Sequence, residues 1–560
     1  MLVSIVKRFN LCSAAALIAA LACGLYWPFL DNPRVFDDWT FFSGDQFAYF
    51  ATHPFGLGMR LPPSFSLAFT EMEIGGMRAH RIVSLVFHIA CSLALCRLIY
   101  ELLRAVLPPE GEGKSTGLNA ALCACAGAVL FAIHPVAVYG AAYLMQRTIV
   151  LATLFSLLSV WLFVRGLVQR RYADAVTAAV MYSAAVLSKE HCVLLPGATV
   201  LAAFLIGDRR FAFRHAGIYL AACIPAAVFV VLARKGLIGH GYEPDFGGLA
   251  TQLEGVFAHS VEGFSWGLSA VTQAGLFFKY LALWLWPDTG VMSIDMRVDF
   301  LDTWSTGWIL LKVGAFVAFG AVGFLLLIRR GRTGVVGFGM LYIWVLYLVE
   351  FSTVRFQEPF VLYRSYLWAP GMLIAVAALL SAVPVRAVVA GTALAVPLLL
   401  YQAHDRLVTF SSSLLLWEDA YVKLPPQPVP WGSRTLYMVG REYVYGGKRD
   451  KAIAVADRCL AQYPDTVHCY FARGIIHYLS GEYALALPYL FRVVELRPGG
   501  AIGHHRLGLV LERLGRIPEA IAEYRRASAL GFTGADYEIE RLESSTAGGR
   551  PGKPGSAPVR

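Results

Sequence analysis

Asp37 and Asp38 stand side by side in Val35-Phe36-Asp37-Asp38, directly after an apolar stretch of membrane length. Two carboxylates at a bilayer surface are costly unless they hold a cation, bind a substrate or move protons. Neighbouring side chains on a regular element point apart, so one acid can face a reaction cavity while the other holds a cation or caps the following helix. A carboxylate whose pKa is lifted by burial is a competent general base toward a hydroxyl. The plainer alternative is an N-cap for an interfacial helix beginning near Trp39.

Other chemistry-bearing residues interrupt apolar sequence further along. Lys189-Glu190-His191 breaks a hydrophobic hairpin, as a cluster lining a polar cavity would, with an internal Lys-Glu pair as the structural alternative. Lys189 suits a phosphate, Glu190 a sugar or metal ion. Arg364, flanked by Tyr363 and Tyr366 in a segment that also holds Arg355 and Glu358, carries a guanidinium charged at any pH and matched to a phosphate or pyrophosphate leaving group. His134 precedes Pro135 at the end of one span, and Arg147 follows Gln146 at the start of the next; local hydrogen bonding and a snorkelling anchor are their plain readings. His80, Arg81 and His88 fall near one helix face, and Arg60 precedes Leu61-Pro62-Pro63.

These residues need a membrane scaffold to hold them. Of 560 residues 57% are hydrophobic and 15% charged, and the mean hydropathy is +0.57, which excludes an ordinary soluble domain. Spans are expected at about 11–20, 80–103, 118–136, 145–165, 173–207 as a hairpin broken near Lys189, 215–233, 306–328, 334–351, 361–382 and 384–402. The net charge of +10 sits in short connections, at Lys7 and Arg8, Arg104 and Lys114, Arg165 to Arg171, Arg209 to Arg214, and Arg329 to Arg332. That positive-inside pattern argues against nucleic acid and places Asp37, His134, Lys189 and Arg364 together on the opposite face. Segment 271–287, ending Trp284-Leu285-Trp286-Pro287, decides the later topology: Asp295 and Arg364 stay on the Asp37 side only if it is interfacial or re-entrant. Alternating aromatics, Trp39, Phe41, Phe42, Phe47, Tyr49 and Phe50, suit a loop lying in the interface.

From about residue 434 a 34-residue period appears. Gly440, Gly474 and Gly508 are in register, as are Gly447, Gly481 and Gly515, and Ala452, Ala486 and Ala520, with Pro464 and Pro498 closing units. This is a tetratricopeptide pattern, small residues standing where paired helices approach closely. The first helices carry Tyr437, Tyr470 and His504 as candidate acceptor-binding residues, against plain inter-helix packing. Cys459 and Cys469 could pair in an oxidising compartment. The division expected is a membrane domain over 1–403, a linker over 404–433, repeats over 434–545 and a disordered tail over 546–560.

In order, FDDW at 36–39, Arg60, His80 and His88, FAIHP at 131–135, Arg147, LSKEH at 187–191, Pro287 to Ile294-Asp295 and YRSYL at 363–367, all upstream of the repeats, resemble the membrane O-mannosyltransferases that carry tetratricopeptide repeats and their bacterial relatives. Trp368 and Leu362 depart from that pattern. The resemblance implies an all-α fold: a polytopic GT-C-type helical membrane domain followed by an α-solenoid. It also implies a sugar on a polyprenyl phosphate as donor, and a hydroxyl acceptor, Ser or Thr of a protein, used with inversion on the extracytoplasmic face. It puts Asp37 and Asp38 at the catalytic carboxylate motif, Lys189 and Glu190 near the lipid phosphate and Arg364 at the phosphate-binding arginine. Arg147 is a further donor-phosphate candidate, and His134 and Asp295 join Glu190 as donor or metal ligands, with a divalent cation as an optional cofactor. Membrane lipid and an acceptor protein are the partners, and a bacterial inner membrane with periplasmic site and repeats is the expected location. A lipid or surface-glycan acceptor, and a non-enzymatic scaffold presenting the repeats, are the alternatives.

Overall fold

The computed structural model describes residues 9–38, 42, 50, 59–107, 116–233, 265–298, 306–355 and 358–546. Lys7, Arg8, Lys114, the aromatics Trp39, Phe41, Phe47 and Tyr49, and the tail after Thr546 lie outside them. The chain divides into two compact units, 1–416 and 417–560, a division that falls inside the stretch expected to be linker.

The first unit is helical. Its elements are α1 (Leu11–Tyr26), α2 (Leu61–Phe69, continued by a π-turn to Ile74), α3 (Met77–Val106), α4 (Thr116–Ala132), α5 (Pro135–Ala141), α6 (Arg147–Gln169), α7 (Ala173–Ser188), α8 (Leu195–Val200), α9 (Arg209–Ala233), α10 (Ser265–Leu285), α11 (Thr306–Ile328), α12 (Gly331–Tyr347), α13 (Ala369–Leu380) and α14 (Val385–Thr409). Among the described residues eight helices are long and apolar enough to cross a membrane, or nine if the pair α4 and α5, bent by 64°, counts as one. The bend has a local cause: Pro135 cannot donate the next helical hydrogen bond, and the His134 side chain instead caps α5. Likewise α7 stops at Ser188 and the chain enters a 3₁₀ turn over Glu190–Leu194, at the break the charged triplet announces. The span expected from 361 begins only at Ala369, because Leu362–Tyr366 is a 3₁₀ turn and Pro370 sits in the first turn of α13.

Glycines let α11, α12 and α13 meet backbone to backbone. A Cβ on Gly337 would lie 2.4 Å from the Gly323 carbonyl oxygen, and one on Gly339 would lie 2.3 Å from that of Gly371, so small residues set this packing. Gly339→Ala should lower stability by about 1–3 kcal/mol, read as a thermal melt of the detergent-solubilised protein. Gly391→Ala in α14, where a Cβ meets nothing within 4 Å, should leave the melt unchanged.

The second unit holds α16 (Gly432–Tyr445), α17 (Arg449–Gln462), α18 (Val467–Leu479), α19 (Tyr483–Leu496), α20 (Ala501–Arg513), α21 (Ile517–Ala529) and α22 (Gly534–Thr546), preceded by α15 (Ser413–Val422). Paired helices pack in chain order. Gly447, Gly481 and Gly515 end the first helix of each pair at φ of +69°, +76° and +75°, a backbone region that glycine enters without steric penalty. At Gly474 and Gly508 a Cβ would press on Leu490 and Tyr524 of the following helix at 2.8 and 2.7 Å. Cys459 and Cys469 form a disulfide joining α17 to α18. Leu490, Leu507, Val510 and Tyr524 centre the core of the later repeats.

Candidate active site

The loop after α1 carries the two acids, and the structure gives them different surroundings. Phe36 turns the chain at φ +52°. Asp38 is fully buried; one carboxylate oxygen accepts from the Val35 N–H at 3.1 Å and the other from the Met145 N–H at 3.0 Å. Arg81, from α3, reinforces the same stitch by donating to the carbonyls of Asn32, Pro33 and Ala142 at 2.9, 2.5 and 2.5 Å. Asp38 therefore fixes the loop against the turn before α6. Asp37 is exposed, and its N–H donates to the Tyr143 hydroxyl oxygen at 3.2 Å. Asp37 is thus the acid open to solvent, and Asp38 the one fixed within the loop.

Burial raises the Asp38 pKa to about 6, against the opposing pull of Arg81 and the two backbone donors. The folded state thus holds its proton more tightly than the unfolded chain. The contribution of this group to stability is fully present below the unfolded carboxylate value of about 4 and is lost as pH rises through about 6. Melts of wild type and Asp38→Asn from pH 4 to 7 should show that decline in the wild type and a flatter profile in the variant.

Tyr143 links this loop to the rest of the cluster. Its ring lies 6.1 Å from that of Tyr363, and the Lys189 ammonium sits 5.2 Å from the Tyr363 ring centroid. Lys189 also donates to Gln146 Oε1 at 3.1 Å. Asp37 and Lys189 thus lie on either side of a Tyr143–Tyr363 pair. Glu190 pairs with Arg60, which reaches it at 2.8 Å from a left-handed position at the start of α2. Beside the Lys189–Glu190 pair considered as the alternative from the sequence, the structure gives this acid a cation from another element.

Arg364 donates to the Glu358 carbonyl at 2.9 Å and lies 3.5 Å from the Glu350 carboxylate. Glu350 is a hub the sequence reading missed. Buried at the end of α12, it receives Arg355 at 2.9 Å and faces His191 at 3.8 Å as well as Arg364. The signal was present: it is the single acid in the apolar run 331–351, where an ionisable group marks a functional or paired position. Tyr143 gave no such signal, because a tyrosine at a span end is ordinary.

Three expected site residues are committed elsewhere. Arg147 is fully buried and donates to Ser84 Oγ at 3.2 Å, to the Ser66 carbonyl at 3.1 Å and to the His80 carbonyl at 2.8 Å. Its guanidinium ties α6 to α2 and α3, which leaves the phosphate reading without support. His134 accepts from the Val136 N–H at 3.2 Å and donates to the Trp284 carbonyl at 3.1 Å, with the two rings stacked at 4.3 Å. Both ring nitrogens are used, so it acts as a cap and not as a metal or donor ligand. Asp295 forms an ion pair with Arg297, beside the antiparallel bridge between Met296 and Phe360. Among the described residues no three His, Cys, Asp or Glu side chains are grouped as a metal site.

In the second unit His504 engages Glu523 at 2.6 Å and the Pro498 carbonyl at 2.8 Å, and Tyr437 packs on Phe471 at 5.8 Å. Both serve inter-helix packing. Tyr437 stands three residues before Gly440, whereas Tyr470 and His504 stand four before Gly474 and Gly508, so it is one position out of register with them. Tyr470 lines a groove.

The residue pairs along α10 bear on segment 271–287. Trp266 donates to the Phe351 carbonyl, Ser269 accepts from the Arg355 N–H, Gln273 donates to the Pro359 carbonyl, Tyr280 to that of Val361, and Trp284 to Ser365 Oγ, at 2.8 to 3.0 Å. The helix therefore pairs with Phe351, Arg355, Pro359, Val361 and Ser365 along its length, and Trp266–Leu285 is among the eight helices long and apolar enough to cross a membrane, where an interfacial or re-entrant segment was expected.

Residues 437–501 match the tetratricopeptide repeat family, and no curated protein matches the chain. Among solved structures, MamA MSR-1 C2 is 24% identical over 26% of this chain and 79% of its own, at a TM-score of 0.21. The archaeal oligosaccharyltransferase AglB from Archaeoglobus fulgidus, solved with an inhibitory peptide and a dolichol-phosphate, is 14% identical over 80% of this chain and 59% of its own, at a TM-score of 0.37. Likenesses at these scores fix neither the fold of the membrane unit nor its activity. The chain is thus similar to tetratricopeptide proteins over its repeats, behind a multi-pass helical membrane unit whose chemistry rests on its own residues.

Proposed function

We propose that this chain is a GT-C-type membrane glycosyltransferase moving a sugar from a polyprenyl monophosphate to a Ser or Thr hydroxyl of a protein on the extracytoplasmic face. The observation that carries the reading is the convergence of an exposed acid, Asp37, with Lys189 across Tyr143 and Tyr363, from stretches of chain far apart in sequence. That is an acid for the acceptor and a cation for a leaving phosphate, at the ends of apolar helices where a lipid-borne donor would arrive. In the step proposed, the Asp37 carboxylate takes the proton of the acceptor hydroxyl. The oxygen attacks the anomeric carbon with inversion while the bond to the phosphate oxygen breaks, and Lys189 with Arg364 stabilises the departing phosphate. Asp38 and Arg81 hold Asp37 in place; Glu350 holds Arg364.

Asp37 and Glu190 are the carboxylates that would hold a divalent cation, which would supply positive charge for the leaving phosphate. Tyr363, beside Lys189 and Tyr143, supports Arg364 lying on the Asp37 side. The positive-inside distribution then places that side opposite the cytoplasm, in a bacterial inner membrane, and the buried Cys459–Cys469 pair fits repeats in an oxidising periplasm. By tethering the acceptor, the repeats would make transfer effectively intramolecular.

The test is intact mass of envelope and secreted proteins from cells expressing the wild type or Asp37→Asn at matched abundance. A hexose- or pentose-sized mass missing from a protein in the variant identifies the acceptor. Unchanged protein masses overturn the protein-acceptor reading.

A further inference from the structure

Tyr470, Arg473 and His477 of α18 and Leu485, Pro488, Tyr489 and Arg492 of α19 line one open groove of about 640 Å³. Its walls come from the first and second helix of a single repeat, so it differs from the row of first-helix positions considered above. Two guanidiniums lie on it and no carboxylate lines it. Arg473 is largely buried, with Asp457 at 3.5 Å and with Nε and Nη1 lacking an acceptor; buried donors without partners need an explanation. Arg492 is held from outside by Glu495 at 3.1 Å while its guanidinium lies 6.0 Å from the Tyr470 ring centroid. Tyr489 stacks on His477 at 5.6 Å, which supplies a flat aromatic wall. Pro488 stands inside α19 and cannot donate the helical hydrogen bond that the Ala484 carbonyl would receive, leaving a backbone acceptor beside the groove.

We infer that this groove binds an extended acidic segment of a partner polypeptide, with a carboxylate between Arg473 and Arg492, an aromatic or proline ring against Tyr470 and Tyr489, and a backbone N–H toward Ala484. The unused donors of Arg473 select this occupant: guanidiniums bind carboxylates through paired donors, and a purely apolar segment would leave Arg473 Nε and Nη1 without an acceptor. The inference concerns binding alone and stands apart from sugar transfer.

Fluorescence anisotropy on the full-length protein in nanodiscs tests it, with three labelled hexapeptides alternating Phe with Asp, Asn or Lys. The Asp peptide should bind at least tenfold more tightly than the Asn peptide, the Lys peptide should not bind, and binding should weaken as salt is raised. Arg492→Gln, at an exposed position outside the repeat core, should reduce Asp-peptide affinity about tenfold, and Arg473→Gln with Arg492→Gln should abolish it. The paired Lys variants should recover part of the loss. Equal binding of the three peptides, or Asp-peptide affinity unchanged in both Gln variants, overturns the proposal; a peptide that binds only through its phenylalanines gives the first of these results.

Discussion

Asp37→Asn will lower sugar transfer by about 10²–10⁴-fold while membrane abundance and melting temperature stay at the wild-type values. The amide keeps the shape of the carboxylate and removes its capacity to take a proton. The Asp37 side chain also hydrogen-bonds Tyr143; the amide keeps an oxygen that accepts from that hydroxyl, and the backbone N–H contact stays. Asp38→Asn acts by another route. Its two carboxylate oxygens accept from Val35 and Met145, and an amide can accept from one of those donors while turning its own NH₂ on the other. One buried N–H is then left unpaired, a cost of about 1–3 kcal/mol, and the loop loosens. Transfer should fall in Asp38→Asn, with a melting temperature lowered at pH 5, where the native carboxyl holds its proton, and closing on the wild-type value as pH rises through about 6; Asp37→Asn lowers transfer without moving the melt. Undiminished transfer by Asp37→Asn would remove the proposed base.

Glu350→Gln will produce the largest loss of stability, about 3–5 kcal/mol. The carboxylate is shared by Arg355 at 2.9 Å and Arg364 at 3.5 Å and faces His191 at 3.8 Å, all buried. Removing its charge takes a carboxylate from two buried guanidiniums, Arg364 keeping Glu358 at 3.6 Å, and breaking a buried ion pair by removing one partner is strongly destabilising. The change should appear as a lower melting temperature in detergent and as lost transfer, since Arg364 no longer has a fixed place. Glu350→Asp keeps the charge on a shorter arm and should restore most of the melting temperature but less of the transfer. A wild-type melt for Glu350→Gln would show that the two arginines find other acceptors and that the hub is dispensable.

Much of the architecture was legible because its signals are local. Apolar runs of membrane length, Pro135 and the charged triplet at 189–191 mark where helices cross, bend and stop, since each depends on the cost of backbone groups and charges in hydrocarbon. The repeats were legible because a 34-residue period with Gly447, Gly481 and Gly515 in register reports one backbone requirement, a left-handed turn after each first helix. The start of the span near 361 was misjudged because hydropathy does not register that Tyr363 and Arg364 occupy a 3₁₀ turn.

The sequence by itself determined the class of the protein, the repeat unit and the set of ionisable residues available for chemistry. Tertiary structure decided which of them act together. Asp38 met the backbone donors of Val35 and Met145 while Asp37 met Tyr143; Glu190 gained Arg60; Arg147, His134 and His504 were consumed by carbonyls and carboxylates on neighbouring elements. The physical reason is that composition and spacing register the cost of burying a polar group. The partner that offsets it is supplied by whichever distant element packs alongside, and that is set only when the helices meet.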